Sequence, residues 1–168
     1  PAAYLKHLAE LKDNSLAVEA LLGKAGQPGI KPADKAKVLD EALQKMPEEL
    51  QAGHTAEMEE IVKIDADGKL GLKGKYQMTL LRGQARAALE HDDTKKAIEI
   101  FDRIVSEIKP QGEDLQELLV AKGEAYFRSD DKPGLRKCLE SALAAAPDSK
   151  AAPRVKAMIK RFFPDAQP

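Results

Sequence analysis

The residues best suited to chemistry stand at Asp65, Ala66, Asp67 and Gly68, the opening of a loop in which several oxygens would converge on a calcium ion. The rest of such a loop is missing. Lys69 occupies the fifth position, Leu70 the place of the turn glycine, and Tyr76 the twelfth, where a bidentate carboxylate must close the shell. The stretch therefore reads as a turn between helices, and no metal site is expected. Gly68, Gly71 and Gly74 have the look of a phosphate cradle, but Gly74 and Lys75 lead into Tyr76 rather than Ser or Thr, and no strand precedes them. They read as a flexible entry into a helix. His7, His54 and His91 lie in separate helices with none at i+4 from another, so no zinc-binding pair arises. Each is expected at a surface or helix end, with His91 suited to the negative end of its helix dipole. The lone Cys138 follows Leu135 by three positions and precedes Ala142 by four, which puts it near a packed stripe where a thiol is inert. The carboxylate pairs Glu48 and Glu49, Glu59 and Glu60, and Asp92 and Asp93 point about 100° apart on a helix and cannot face each other as acid and base. They read as solvated charge. No catalytic residue and no cofactor is expected, and the chain reads as a binding protein rather than an enzyme.

Composition agrees with that bland chemistry. The chain has 168 residues, 4% aromatics and no Trp, with Ala, Leu, Lys and Glu prominent, as in helices packed through small and aliphatic side chains. Twenty-seven basic residues against 28 acidic ones leave a net charge of −1, so no whole-molecule field gathers nucleic acid or an anionic membrane. The longest apolar run, Ala142 to Ala146, falls far short of the roughly 20 residues a membrane span needs, and a soluble chain is expected. One cysteine excludes an internal disulfide and a four-thiolate zinc framework. The first residue is Pro1 rather than Met, which suggests removal of an N-terminal piece and leans towards export to a bacterial periplasm.

The elements follow from hydrophobic period. Leu5, Leu8 and Leu11, then Leu16, Ala20 and Leu21, predict one helix or a bent pair. Gly23 to Pro32, with Gly26, Pro28 and Gly29, predicts a loop, which sets off residues 1–30 as an N-terminal helical segment from 31–168. Beyond it the pattern predicts helices over Ala33 to Met46, Pro47 to about Ile64, Leu72 to His91, Thr94 to Lys109, Gly112 to Ser129, Lys132 to Ala146 and Ser149 to Phe163. Short connectors between helices of this length imply antiparallel helical hairpins.

Hairpins in series call for a test of internal period. Ala85 aligns with Gly123, Ala88 with Tyr126, Phe101 with Leu139, Ile104 with Ala142 and Pro110 near Pro147, at offsets of 37 or 38 residues. From Gln116 to Ser149 the spacing of Leu119, Gly123, Tyr126, Ala142 and Pro147 resembles a tetratricopeptide (TPR) repeat, with Leu135 where that family prefers a small residue. Met78 to about Pro110 resembles it more loosely, and Ala33 to Asp67 suggests a third, degenerate unit. The resemblance implies an all-α fold of antiparallel hairpins stacked as a short TPR-like right-handed solenoid. Ser149 to Phe163 would be its closing helix, with Phe162 and Phe163 packed down and Lys156, Lys160 and Arg161 outward.

The same resemblance implies a non-enzymatic scaffold that receives a protein or peptide on the first helices of its hairpins. It places Thr79, Arg82, Arg86, Glu117, Val120, Glu124 and Arg128 on that face. Arg82 and Arg86, at i and i+4, would share a face and jointly grip a carboxylate, with Lys75 and Lys122 adding charge. The bland alternative is that these charges solvate the surface and pair with Glu90, Glu117 or Glu124. The asparagines of the family's carboxylate clamps are missing here, which speaks against a chaperone-tail ligand. A further resemblance, of Leu70 to Tyr76 to a segment in the helical regions of exported thioredoxin-fold proteins, implies a second reading as a helical accessory region of a larger exported enzyme. Without a Cys-x-x-Cys, redox activity does not carry over.

Overall fold

The computed structural model describes the backbone of residues 2–164, without the side chains of residues 2–9, 11, 48 and 49. Among the described residues there is no strand, and no helix is long and apolar enough to cross a membrane. The helices are α1 (Ala2–Ala25), α2 (Pro32–Gln44), α3 (Glu48–Gln51), α4 (Thr55–Ile64), α5 (Lys73–Glu90), α6 (Thr94–Arg103), α7 (Gly112–Arg128), α8 (Lys132–Ala145) and α9 (Ala152–Phe162). A π-helical turn, Ile104–Ile108, extends α6. Backbone contacts divide the chain into two compact units, residues 1–80 and 81–168, with the division inside α5.

The first unit is built on α1, α2 and α4. Its core is Ala25, Val38, Leu39, Leu43, Met58 and Ile61, closed by Tyr76 at the start of α5. α1 is one continuous helix and runs through Gly23, because glycine keeps its backbone N–H and C=O and costs the helix only backbone entropy. The loop begins at Gly26, and Gly29 there takes a φ of 82°. The packed stripe of α1 is Val18, Leu21, Leu22 and Ala25, whereas Leu16 is exposed. The helix expected from Pro47 to Ile64 is two: Gly53 donates its N–H to Leu50 and His54 to Gln51, tight turn bonds that end α3 and let α4 start afresh.

In the second unit the same reversal is used twice. At the end of α5, Asp92 takes a left-handed φ of 60°, its N–H donates to Leu89 O, and the N–H of Asp93 donates to Ala88 O. At the end of α7, Asp130 takes a φ of 56°, with Asp130 N donating to Phe127 O and Asp131 N to Tyr126 O. Both are Schellman closures with aspartate where glycine is usual. The second aspartate of each pair then caps the next helix, Asp93 Oδ1 accepting from Lys96 N at 3.1 Å and Asp131 Oδ1 from Gly134 N at 2.8 Å. Asp92 and Asp93 are thus hinge and cap as well as exposed, solvated charge.

These reversals set the register of the antiparallel pair α7 and α8. A Cβ on Gly123 would lie 3.3 Å from Leu135 Cδ1, and one on Gly134 only 2.5 Å from the Tyr126 ring. The small residue facing Tyr126 is therefore Gly134, which is why a leucine is tolerated at 135, buried beside Gly123. Gln116 is also buried. Its Nε2 donates to Ala142 O at 3.1 Å and Ala146 O at 2.9 Å, and its Oε1 accepts from Ser149 Oγ at 2.5 Å. Ser149 Oγ in turn accepts from Ala152 N at 3.0 Å, so one side chain of α7 satisfies the open end of α8 and, through Ser149, the first turn of α9. α9 lays Val155, Met158, Ile159 and Phe162 on the α8 residues Leu135, Leu139 and Ala142, while Lys156, Lys160 and Arg161 are exposed.

Three variants test this packing. Gly134→Ala forces the Tyr126 ring from its place and lowers stability by about 1–3 kcal/mol. Gly83→Ala in α5 raises it by about 0.5–1 kcal/mol, because among the described residues nothing lies within 4 Å of the added methyl. Urea midpoints that move the same way in both variants contradict the packing described. Gln116→Leu strands two helix carbonyls and the Ser149 hydroxyl and costs about 1–3 kcal/mol, an effect readable as early loss of α9 amide protection in hydrogen exchange.

Candidate functional site

The turn after α4 makes internal use of its carboxylate. Asp65 is fully buried, and its oxygens accept from Leu70 N at 2.8 Å, Leu72 N at 2.7 Å and Lys73 N at 2.8 Å. Burial pushes this carboxyl up, yet the backbone donors and the Lys73 charge outweigh it and hold it below the ordinary aspartate range. Gly68 and Gly71 take φ of 73° and 72° to bring those amides round, and α5 begins at Lys73. Among the described residues no three His, Cys, Asp or Glu side chains converge on a metal position. His54 pairs with Glu57 at 3.4 Å, and His91 Nδ1 lies 2.8 Å from Ala87 O at the end of α5; the side chain of His7 is outside those described. Cys138 is buried, and that burial raises its thiol above the ordinary range.

The residues placed on a binding face are mostly engaged with one another. Arg82 pairs with Glu117 across to α7, while Arg86 Nε reaches Glu90 at 3.3 Å one turn along its own helix. The two arginines thus hold separate carboxylates and do not form a joint grip. Arg128 Nη2 holds Glu124 at 2.6 Å, and its Nη1 donates to Leu89 O at 3.0 Å, satisfying a carbonyl at the end of α5. Thr79 is exposed, its hydroxyl bonded to Lys75 O at 3.1 Å. Val120 is half-buried against the α8–α9 cluster. Of the supporting lysines, Lys75 lies 3.6 Å from Asp40. Lys122 is held at 2.5 Å by Asp102 of α6; burial pushes its ammonium down, but the Asp102 bond and charge prevail and raise it.

Two contacts fix how α5 and α7 lie within the second unit. Arg82 meets Glu117 near the start of α7, and Leu89 meets Arg128 at its end, separations of 35 and 39 residues. The two helices therefore run side by side in the same direction. α9 stands to α7 as α7 does to α5: the Phe127 and Phe162 rings lie 5.3 Å apart near the C-terminal ends of both. Towards their N-terminal ends Gln116, Glu117, Val120, Arg154, Val155 and Met158 enclose a groove of 270 Å³. Glu117 and Val120 of the expected set reach this groove. Arg154, Val155 and Met158 were not in that set, although one further step of the 37-residue period leads from Glu117 to Arg154 and from Glu124 to Arg161.

The capping role of Asp65 has a pH signature. A carboxyl held low in the folded chain stabilises it above the unfolded value of about 3.8 and ceases to do so as pH falls through the lower folded value. Asp65→Asn lowers the melting temperature at neutral pH, and its deficit against the wild type shrinks as pH falls below about 3.8 towards the lower folded value. A deficit independent of pH overturns the assignment. Millimolar calcium leaves the wild-type melting temperature unchanged, because the carboxylate is already saturated by amides.

Comparison of the chain with protein-family models, with curated proteins and with solved structures gives no match.

Proposed function

We propose that the chain is a non-enzymatic, TPR-like helical repeat scaffold that binds a protein segment or peptide on the surface formed by the first helices of its hairpins. The observation that carries this reading is the recurrence of one relation: α7 lies along α5 and α9 along α7, each pair parallel and displaced by a similar number of residues. The pair of aspartate reversals, 38 positions apart from Asp92 to Asp130, supports a repeated unit in the same way. Such stacking leaves a row of first-helix side chains on one surface, and the groove over Val120, Val155 and Met158 offers an apolar floor with charged walls. A groove of that size takes one or two side chains of a peptide rather than a whole small molecule.

The test is selection from a display library of random 12-residue peptides on the full chain, with affinities of selected peptides measured by fluorescence anisotropy. Val120→Glu, which puts a charge on the groove floor, weakens selected peptides by about tenfold or more while circular dichroism is unchanged. A library that yields no binder sinks the scaffold reading. Binders indifferent to Val120→Glu place the surface elsewhere.

A further inference from the structure

Arg82, Arg86, Arg103, Arg128 and Arg136 each hold a glutamate. Arg154 and Arg161, both on α9, hold no carboxylate among the described residues, and both are exposed. Lys150, Lys156 and Lys160 around them are exposed as well, and α9 itself contains no acidic residue. The net charge of −1 therefore conceals a helix whose charged residues are all cationic, with no ion pair among the described residues. Arg161 follows Arg154 by seven positions, which puts the two within about 20° of each other on the helix.

Each of these arginines adjoins an apolar depression between α7 and α9. Arg154 forms part of the wall of the groove over Val120, Val155 and Met158. Arg161 lies 5.8 Å from the Phe162 ring, which with Phe127, Tyr126 and Phe163 lines a second, smaller hollow of 60 Å³. Phe127 there is 57% exposed, unusual for so large an apolar side chain. The two depressions are about 12 Å apart along α9, the rise from Arg154 to Phe162.

We infer that α9 and the adjoining face of α7 bind an acidic protein segment that carries two apolar side chains about 12 Å apart, with its carboxylates on Arg154 and Arg161. That spacing is about eight residues in a helix or four in an extended strand. The inference rests on the scaffold reading and names its ligand. Charge sets the orientation: Glu113 and Glu117 on the α7 wall repel carboxylates, and at the aromatic hollow Asp130 and Asp131 outnumber Lys132, so the acidic residues face α9 and uncharged side chains enter the hollows. A polynucleotide would satisfy the arginines, but it has no use for two apolar hollows, and the acidic α7 wall opposes its continuous backbone charge.

The experiment uses the same 12-residue library and the full chain. Selected peptides are enriched in Asp and Glu with two apolar residues at one of the two spacings. The double substitution Arg154→Glu, Arg161→Glu weakens them by about tenfold or more, whereas Lys95→Glu, Lys96→Glu on α6 leaves affinity within about threefold. Raising salt from about 50 to about 500 mM weakens binding to the wild type and has less effect on the arginine variant. Neutral or basic peptides that bind and are lost on Val120→Glu overturn this inference and leave the scaffold reading standing, while the absence of any binder sinks the scaffold reading itself. A 20-nucleotide single strand bound more tightly than the best peptide, and released by the arginine substitutions, also overturns it in favour of nucleic acid.

Discussion

The second unit depends on a backbone reversal made by two consecutive aspartates. The first must enter the left-handed region, which costs an L-residue about 1 kcal/mol or more, and aspartate is among the few side chains that tolerate it. The second turns its carboxylate back onto the amide three residues on. Because the two bonds of each Schellman closure and the cap leave no slack, the helix on one side dictates the phase of the helix on the other. The approach of Tyr126 to Gly134 and of Gly123 to Leu135 is a consequence of that phase. So is the burial of Gln116 against the far end of α8, where an amide with two donors can quiet two carbonyls that a hydrophobic residue would strand.

The first unit solves a comparable problem in another way. Asp65 gathers three amides ahead of α5 and stays charged in a buried place, since oriented backbone donors substitute for water. Tyr76 is fixed nearby by a 2.5 Å bond from its hydroxyl to Asp40, and burial with that carboxylate drives the phenol far above its ordinary range. In both units, then, side-chain carboxylates and one amide complete helix ends from within.

The helices themselves were legible from the spacing of apolar residues, since α2 and α5 to α9 begin and end within a few positions of their expected bounds. What escaped was whatever depends on a residue's partner rather than its period. Asp92 and Asp93 look like any charged pair until the backbone is known to reverse there. Gln116 occupies a buried position with a polar side chain, which no periodic pattern distinguishes from an exposed glutamine. The break at Gly53 and His54 was hidden because apolar residues on both sides keep a helical spacing across it. On the candidate face, residue types and positions are readable in α5 and α7 but their ion pairs are not, and one further step of the 37-residue period reaches α9. The arginines without carboxylates are found there.

The π-helical turn at Ile104–Ile108 has a bearing on how the second unit assembles. It lengthens α6 by a wide turn that closes with Lys109 N donating to Ile104 O at 3.3 Å and Lys109 in the left-handed region, so the chain leaves that helix already bent towards α7. With reversals at both aspartate pairs and this prebent exit, every helix of the unit meets its neighbour over a short stretch of chain. Neighbours joined by so little chain keep the loop-closure entropy of each docking step small.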